Sequence, residues 1–317
     1  MINASDLANK PEYIKMVNGE ITRLKEIFER VKELLFLPLS DDNYNKAFQA
    51  FYLIIDIIPL MVNKLPAMQI VRGRPRRQKD ELCTNKSDLS YNWKYRKDIK
   101  LGRFNQQGEA VFYASMPTES KAVDYILTCA LECCKELTTE YGVDLQEITL
   151  GGWIIDTPVD VVNLCFDDLH LTGNPDLKEA VESYLRAIRA NFSTEAANFI
   201  EEFLRYISEL SRTTMGNNEC YKLTSPFFCA VRYYYDIQLK QPVYGLLYPS
   251  AMTLAKGLNI VLTKDAVDNF IQLDKVVIYR SILLKPERKT YKIDKCSDII
   301  KVVGNEFSIT GYTYPHD

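Results

Sequence analysis

Residues of chemically useful type stand at the edges of several strand-like runs. Arg72 and Arg74 follow the run QIV, and Arg103 and Asn105 precede AVFY, a strand candidate that reaches Tyr113. Asp124 lies on the helix-like segment that follows. Much later, Tyr248, Pro249 and Ser250 close another short run ahead of Gly257 and Asn259. Arginine carries a rigid fork of donors that suits phosphate oxygens. A carboxylate stabilises positive charge that develops beside it. Singly, each residue has a plainer reading: RGRPRR as a solvated basic loop, RFNQQG as a turn, YPS as a strand end.

As an ordered set they resemble something specific. R-x-R, then GRFN-x-x-G, then FYAS, then an acid, then YPS and G-x-N resemble the RES domain. That family is named for its arginine, glutamate and serine, and most members are toxins of bacterial toxin–antitoxin pairs. The resemblance covers residues 70 to 168 and 220 to 280. It implies a fold related to ADP-ribosyltransferases and degradation of NAD+, with nicotinamide released by hydrolysis or phosphorolysis. The family's core arginine falls on Arg103, its tyrosine on Tyr113, its serine on Ser250, and an additional arginine on Arg72. Its glutamate, eleven residues after the tyrosine, falls on Asp124, which is one methylene shorter; Glu119 lies nearby, out of register.

The resemblance implies roles for these positions. Arg72 and Arg103 grip the diphosphate, with Arg74, Asn105 and Asn259 as further substrate-binding positions. Asp124 stands near the ribose, and Tyr113 and Ser250 orient the nicotinamide end. NAD+ is the substrate, and neither a cofactor nor a metal is required. A cognate antitoxin protein is the macromolecular partner, a homodimer is allowed, and neither membrane nor direct nucleic-acid binding is expected. Two alternatives stay open. One is a catalytically weakened relative that binds a nucleotide or a protein. The other is an ADP-ribosyltransferase that modifies a macromolecule.

Composition sets the outer limits. Among 317 residues, 39 Lys and Arg stand against 42 Asp and Glu, a net charge of −3, so the chain as a whole is not a nucleic-acid polyelectrolyte. The eight cysteines lack a CxxC pair and only two histidines accompany them, which favours buried thiols in a reducing compartment over a metal site or disulfides. The start of the chain lacks the apolar stretch of a signal peptide. The most apolar segment, residues 47 to 62, is interrupted by Gln49, Asp56 and Pro59 and is too short to span a bilayer. A cytoplasmic location is the expectation. No GxGxxG motif or P-loop is present.

Helices and strands must place these residues. Ile21, Leu24, Ile27, Phe28, Val31, Leu34 and Leu35 share one helical stripe, and a second helix runs toward Pro59. ITLGGWIIDTPVDVVNL reads as two strands joined at Thr157 and Pro158. Leu177, Val181, Tyr184, Leu185 and Ile188 form another stripe, and Ile200, Phe203, Leu204 and Ile207 a further one behind a Ser193 or Thr194 cap. Strands do not alternate regularly with helices, which predicts an α+β fold rather than a doubly wound sheet. The expected organisation is a helical region over 1–65, then a RES-like domain over 66–317 with a helical insertion at about 170–218.

Overall fold

The first helical stripe is realised in α1 (Pro11–Leu34) of the computed structural model, where Val17, Ile21, Leu24, Phe28 and Val31 are buried at helical spacing. The structure describes residues 7, 9–76, 81–118, 124–134, 145–213, 219–253, 256–285 and 290–313. Ser40 caps α2 (Asp41–Ile55), its hydroxyl accepting from the Asn43 amide. Four residues past the end of α2, Pro59 cannot prolong the helix, as its position in the sequence suggests. Ser193 caps α7 (Thr194–Arg212) by accepting from the Ala196 amide. The remaining helices are α3 (Lys86–Leu89), α4 (Tyr125–Cys133), α5 (Asp168–Thr172), α6 (Pro175–Asn191), α8 (Tyr221–Arg232), which a π-helical turn extends over Tyr233–Gln238, and α9 (Lys264–Phe270).

Ten strands form one mixed sheet among the described residues. They are β1 (Val62–Leu65), β2 (Met68–Arg76), β3 (Phe112–Met116), β4 (Leu145–Ile155), β5 (Val159–Asn163), β6 (Gly245–Pro249), β7 (Leu258–Leu262), β8 (Ile271–Lys285), β9 (Thr290–Lys295) and β10 (Ile300–Lys301). Their order is β1-β5-β6-β7-β3-β2-β4-β8-β10, with β9 also on β8. Among the described residues only β5 and β6 run parallel. The protein is thus α+β, as the irregular order of elements predicts.

A short link reveals the sheet's shape. Three residues join β4 to β5, yet β6, β7, β3 and β2 lie between them in the sheet. Such a link cannot cross four strands spaced about 4.8 Å apart unless the sheet curls. The two halves therefore face one another, and Phe112, Trp153, Val161, Ile260 and Val276 share the core between them. Phe112 and Trp153 meet edge to face with ring centres 5.0 Å apart.

The helices at the N-terminus and those of the expected insertion are not separate additions. Phe28 of α1 packs edge to face on Phe199 and Phe203 of α7, and Phe51 of α2 on Phe227 of α8. This cluster continues into Val162, Leu246 and Val261 of the sheet. The first segment also supplies β1, an edge strand paired to β5, so the region over 1–65 is not wholly helical. On the other half of the sheet, α4 packs Cys129 and Ala130 against Val71, Ile148 and Leu150.

One joint in the sheet is weak. β2 pairs with β4 over nine residues and β3 with β7 over five, but β2 and β3 share a single registered pair, Val71 with Ser115. Beyond that pair the two strands separate.

A candidate active site where two strands part

A cavity of about 670 Å³ opens at this split, within the usual size range of small-molecule sites. Arg72 reaches across the gap. Its Nη1 donates to the Tyr113 carbonyl at 2.8 Å, and its guanidinium lies 4.9 Å from the centre of the Phe112 ring. The side chain thus supplies a donor where the ladder between β2 and β3 has lapsed. Burial lowers the Arg72 pKa, opposed by the Cys133 and Cys129 thiols beside it. An arginine keeps its charge throughout the physiological range.

The turn after residue 100 ties the Tyr113 hydroxyl to the segment that carries Arg103. Asn105 Nδ2 donates to the carbonyls of Lys100 and Gln106, at 3.0 and 2.9 Å. The Tyr113 hydroxyl donates to Asn105 Oδ1 at 3.1 Å and accepts from the Phe104 amide at 2.9 Å. Gly102 is required because a Cβ there would stand 2.2 Å from Asn105 Oδ1. Phe104, fully buried, meets Tyr248 edge to face with ring centres 4.9 Å apart. Burial raises the Tyr113 pKa, with the Phe104 amide as the leading opposing influence, so the hydroxyl stays protonated and holds the turn.

That turn delivers Arg103 to the cavity. Its Nη1 serves the carbonyl end of α7, donating to Thr213 O at 3.2 Å and also to Ser211 O. A cation at a helix C-terminus is favoured by the aligned backbone dipoles. Burial works against the Arg103 charge, but the neighbouring Tyr221, Tyr248, Cys220 and Glu132 outweigh it and raise the pKa. The Arg103 guanidinium also lies 5.4 Å from the centre of the Tyr221 ring, which lines the same cavity.

The acid on the cavity is Glu132 of α4. Its Oε1 accepts from the Ser250 hydroxyl at 2.5 Å, from Asn259 Nδ2 at 3.0 Å and from the Met252 amide at 3.4 Å. Asn259 is itself oriented, because Ser115 Oγ donates to its Oδ1 at 2.8 Å. Gly257 makes this approach possible: a Cβ there would lie 2.5 Å from Thr128 Oγ1 on α4. Without that space, the turn between β6 and β7 would stand away from the helix.

Asp124 is elsewhere. It is exposed at the N-cap of α4, with its Oδ1 accepting from the Ile126 amide at 2.7 Å. It stands eight positions before Glu132, a rise of about 12 Å along the helix. Arg74 also lies apart, exposed and donating to the Asp88 carbonyl at 2.7 Å. Of the expected positions, Arg72, Arg103, Asn105, Tyr113 and Asn259 line the cavity, and Ser250 lies fully buried behind Glu132. Glu119 falls outside the described residues. The sequence does carry a signal for Glu132, the sole charged residue in the apolar run from Tyr125 to Cys134. An isolated charge on such a helix faces either solvent or a site, and here it faces the site.

Among the described residues no cluster of three or more His, Cys, Asp or Glu could hold a metal, and no helix is long and apolar enough to cross a membrane. The chain matches no family model, and no curated protein matches it.

Proposed function

We propose that this protein is a RES-like enzyme that cleaves the N-glycosidic bond of NAD+, built on a fold related to ADP-ribosyltransferases. The observation that carries the reading is the glutamate–serine pair, Glu132 with Ser250, set on a cavity that also holds Arg72 and Arg103. These are the residue types for which the resembled family is named. The glutamate stands at a position other than the one the spacing from Tyr113 suggests.

The arginines suit a diphosphate, and the tyrosine that suits the flat base or ribose is Tyr221 rather than Tyr113, whose hydroxyl is committed to the turn. The bond between the ribose anomeric carbon and the nicotinamide nitrogen breaks, and its electron pair neutralises the pyridinium ring. Positive charge then develops on the ribose. Glu132 lies ready to stabilise it, because three donors hold Oε1 in place before the reaction begins. Water or phosphate completes the exchange at the anomeric carbon. The proposed biological setting is a toxin held by a cognate antitoxin protein.

The test is incubation of the purified protein with NAD+, with chromatography of the products. Free nicotinamide with ADP-ribose, or with its phosphate, is expected. Glu132→Gln should abolish its release while Asp124→Ala should not. The reverse pattern, or no release from the wild-type protein, would sink the reading.

A further inference from the structure

Two thiols flank the turn of helix that carries Glu132. Cys129 and Cys133 lie on one face of α4, their sulfurs 4.0 Å apart, and both line the cavity. Cys129 is buried and Cys133 half-buried, its Sγ donating to the Gly73 carbonyl at 3.4 Å. The glycosidic chemistry proposed above uses neither. Cys134 is fully buried and does not line the cavity. We propose that Cys129 and Cys133 form a thiol–disulfide pair through which hydrogen peroxide disarms the site by displacing Glu132.

The roles of the two thiols differ. The hydrogen bond from Cys129 lowers the Cys133 pKa against the effect of burial, and Arg72 lowers it further. The same pairing, with burial, raises Cys129. Cys133 is also the more exposed of the two, so it is the thiol that attacks once its proton is lost. It attacks one peroxide oxygen, the O–O bond breaks, and hydroxide leaves and is protonated to water. The product is a sulfenic acid on Cys133. The Cys129 thiol then attacks that sulfur, the S–O bond breaks, and a second water leaves. Two thiols are oxidised to one disulfide while the peroxide is reduced.

Closing that bond deforms the helix. Helical residues four apart hold their Cβ atoms about 5–6 Å from each other. A disulfide draws the two Cβ atoms to about 3.5–4.5 Å. The last turn of α4 must therefore move by roughly 1 Å or more. Cys133 is the final residue of that helix, where few backbone bonds resist the movement. Glu132 immediately precedes it, so its bonds to Ser250, Met252 and Asn259 are strained or lost. A catalytic group displaced by about 1 Å can lose on the order of a hundredfold in rate.

The loss of turnover rests on the NAD+ reading; the disulfide itself does not. Reduced full-length protein is titrated with hydrogen peroxide and followed by mass spectrometry with fragmentation, alongside NAD+ consumption. Wild type and Cys134→Ser should each lose two hydrogens from the peptide that holds these cysteines. NAD+ consumption should fall about tenfold or more and return with dithiothreitol. Cys129→Ser should stop at a sulfenic acid trapped by dimedone, and Cys133→Ser should form neither product. An unchanged wild-type mass overturns the proposal, as does a disulfide that survives in Cys133→Ser. Full turnover by the oxidised protein overturns the switch. Where the reduced protein consumes no NAD+, the mass results still decide whether the pair exists.

Discussion

Two glutamates on the same half of the sheet are held in opposite ways. Glu147 of β4 is sealed, with 1% of its side chain exposed. Arg76 and Tyr312 donate to its Oε2 at 2.8 and 2.6 Å, and Arg280 to its Oε1 at 2.7 Å. Its charge is consumed by two guanidinium groups, and the cluster ties β2, β4 and β8 to the end of the chain. Glu132 is held by a hydroxyl, a carboxamide and a backbone amide, all uncharged. Those donors fix its orientation without cancelling its charge, and it faces a cavity. A carboxylate neutralised by arginine builds structure; one steered by neutral donors remains available to a developing cation.

The contrast breaks most sharply at Glu132 itself. Glu132→Gln keeps the shape but removes the charge, and should lower NAD+ turnover by about a thousandfold while leaving the urea midpoint close to that of wild type. A folded variant with undiminished turnover would show that the charge is not used. Glu147→Gln should do the opposite. It leaves two largely buried arginines short of their counter-charge, at a cost of about 3 kcal/mol in urea unfolding, while turnover per folded molecule is preserved. A comparable loss of turnover in both variants would erase the distinction between the two clusters.

Arg103→Lys tests whether the fork matters on the cavity's other wall. Lysine retains a cation at the end of α7 but loses the planar set of donors, so NAD+ affinity measured by titration calorimetry should weaken about tenfold. Stability should fall by about 1 kcal/mol as the contacts to the α7 carbonyls are reorganised. Unchanged affinity would make Arg103 a helix cap alone. The smallest effect is expected at Asp124→Ala, where loss of an N-cap costs about 1 kcal/mol and turnover stays at the wild-type level. A strong fall in its turnover, in protein shown to be folded by circular dichroism, would return the chemistry to Asp124.

Much of the architecture is legible before folding. The stripe from Ile21 to Val31 predicts α1 and its buried face, and the pair Ser193 and Thr194 marks the start of α7, with Ser193 as the cap in the structure. The strand around Tyr113 and the turn that opens with Gly102 can be read for the same local reason: each depends on residues within a few positions of one another. RGRPRR is harder to read. Its basic composition suggests a loop, yet its first five residues continue β2 because the neighbouring β4 supplies a partner through Arg76. ITLGGWIIDTPVDVVNL does contain two strands, but β4 and β5 pair with different neighbours and meet only because the sheet curls.

Sequence alone determined which residue types are present, the periodicity of the helices, the α+β class and the presence of a turn between Gly102 and Tyr113. Each follows from short-range geometry, where spacing along the chain is nearly spacing in the molecule. Only the tertiary structure decided which acid reaches the cavity. Counting from Tyr113 cannot tell whether Asp124 or Glu132 arrives, because a count along the chain does not say where α4 rests on the sheet. Where α4 rests on Val71 and Ile148, and how closely Gly257 lets the turn after β6 approach it, bring Ser250 and Asn259 onto Glu132 and leave Asp124 as a cap in solvent. The contacts of Ser250 and Asn259 with Glu132 join residues more than a hundred positions apart, and no local pattern encodes such a distance.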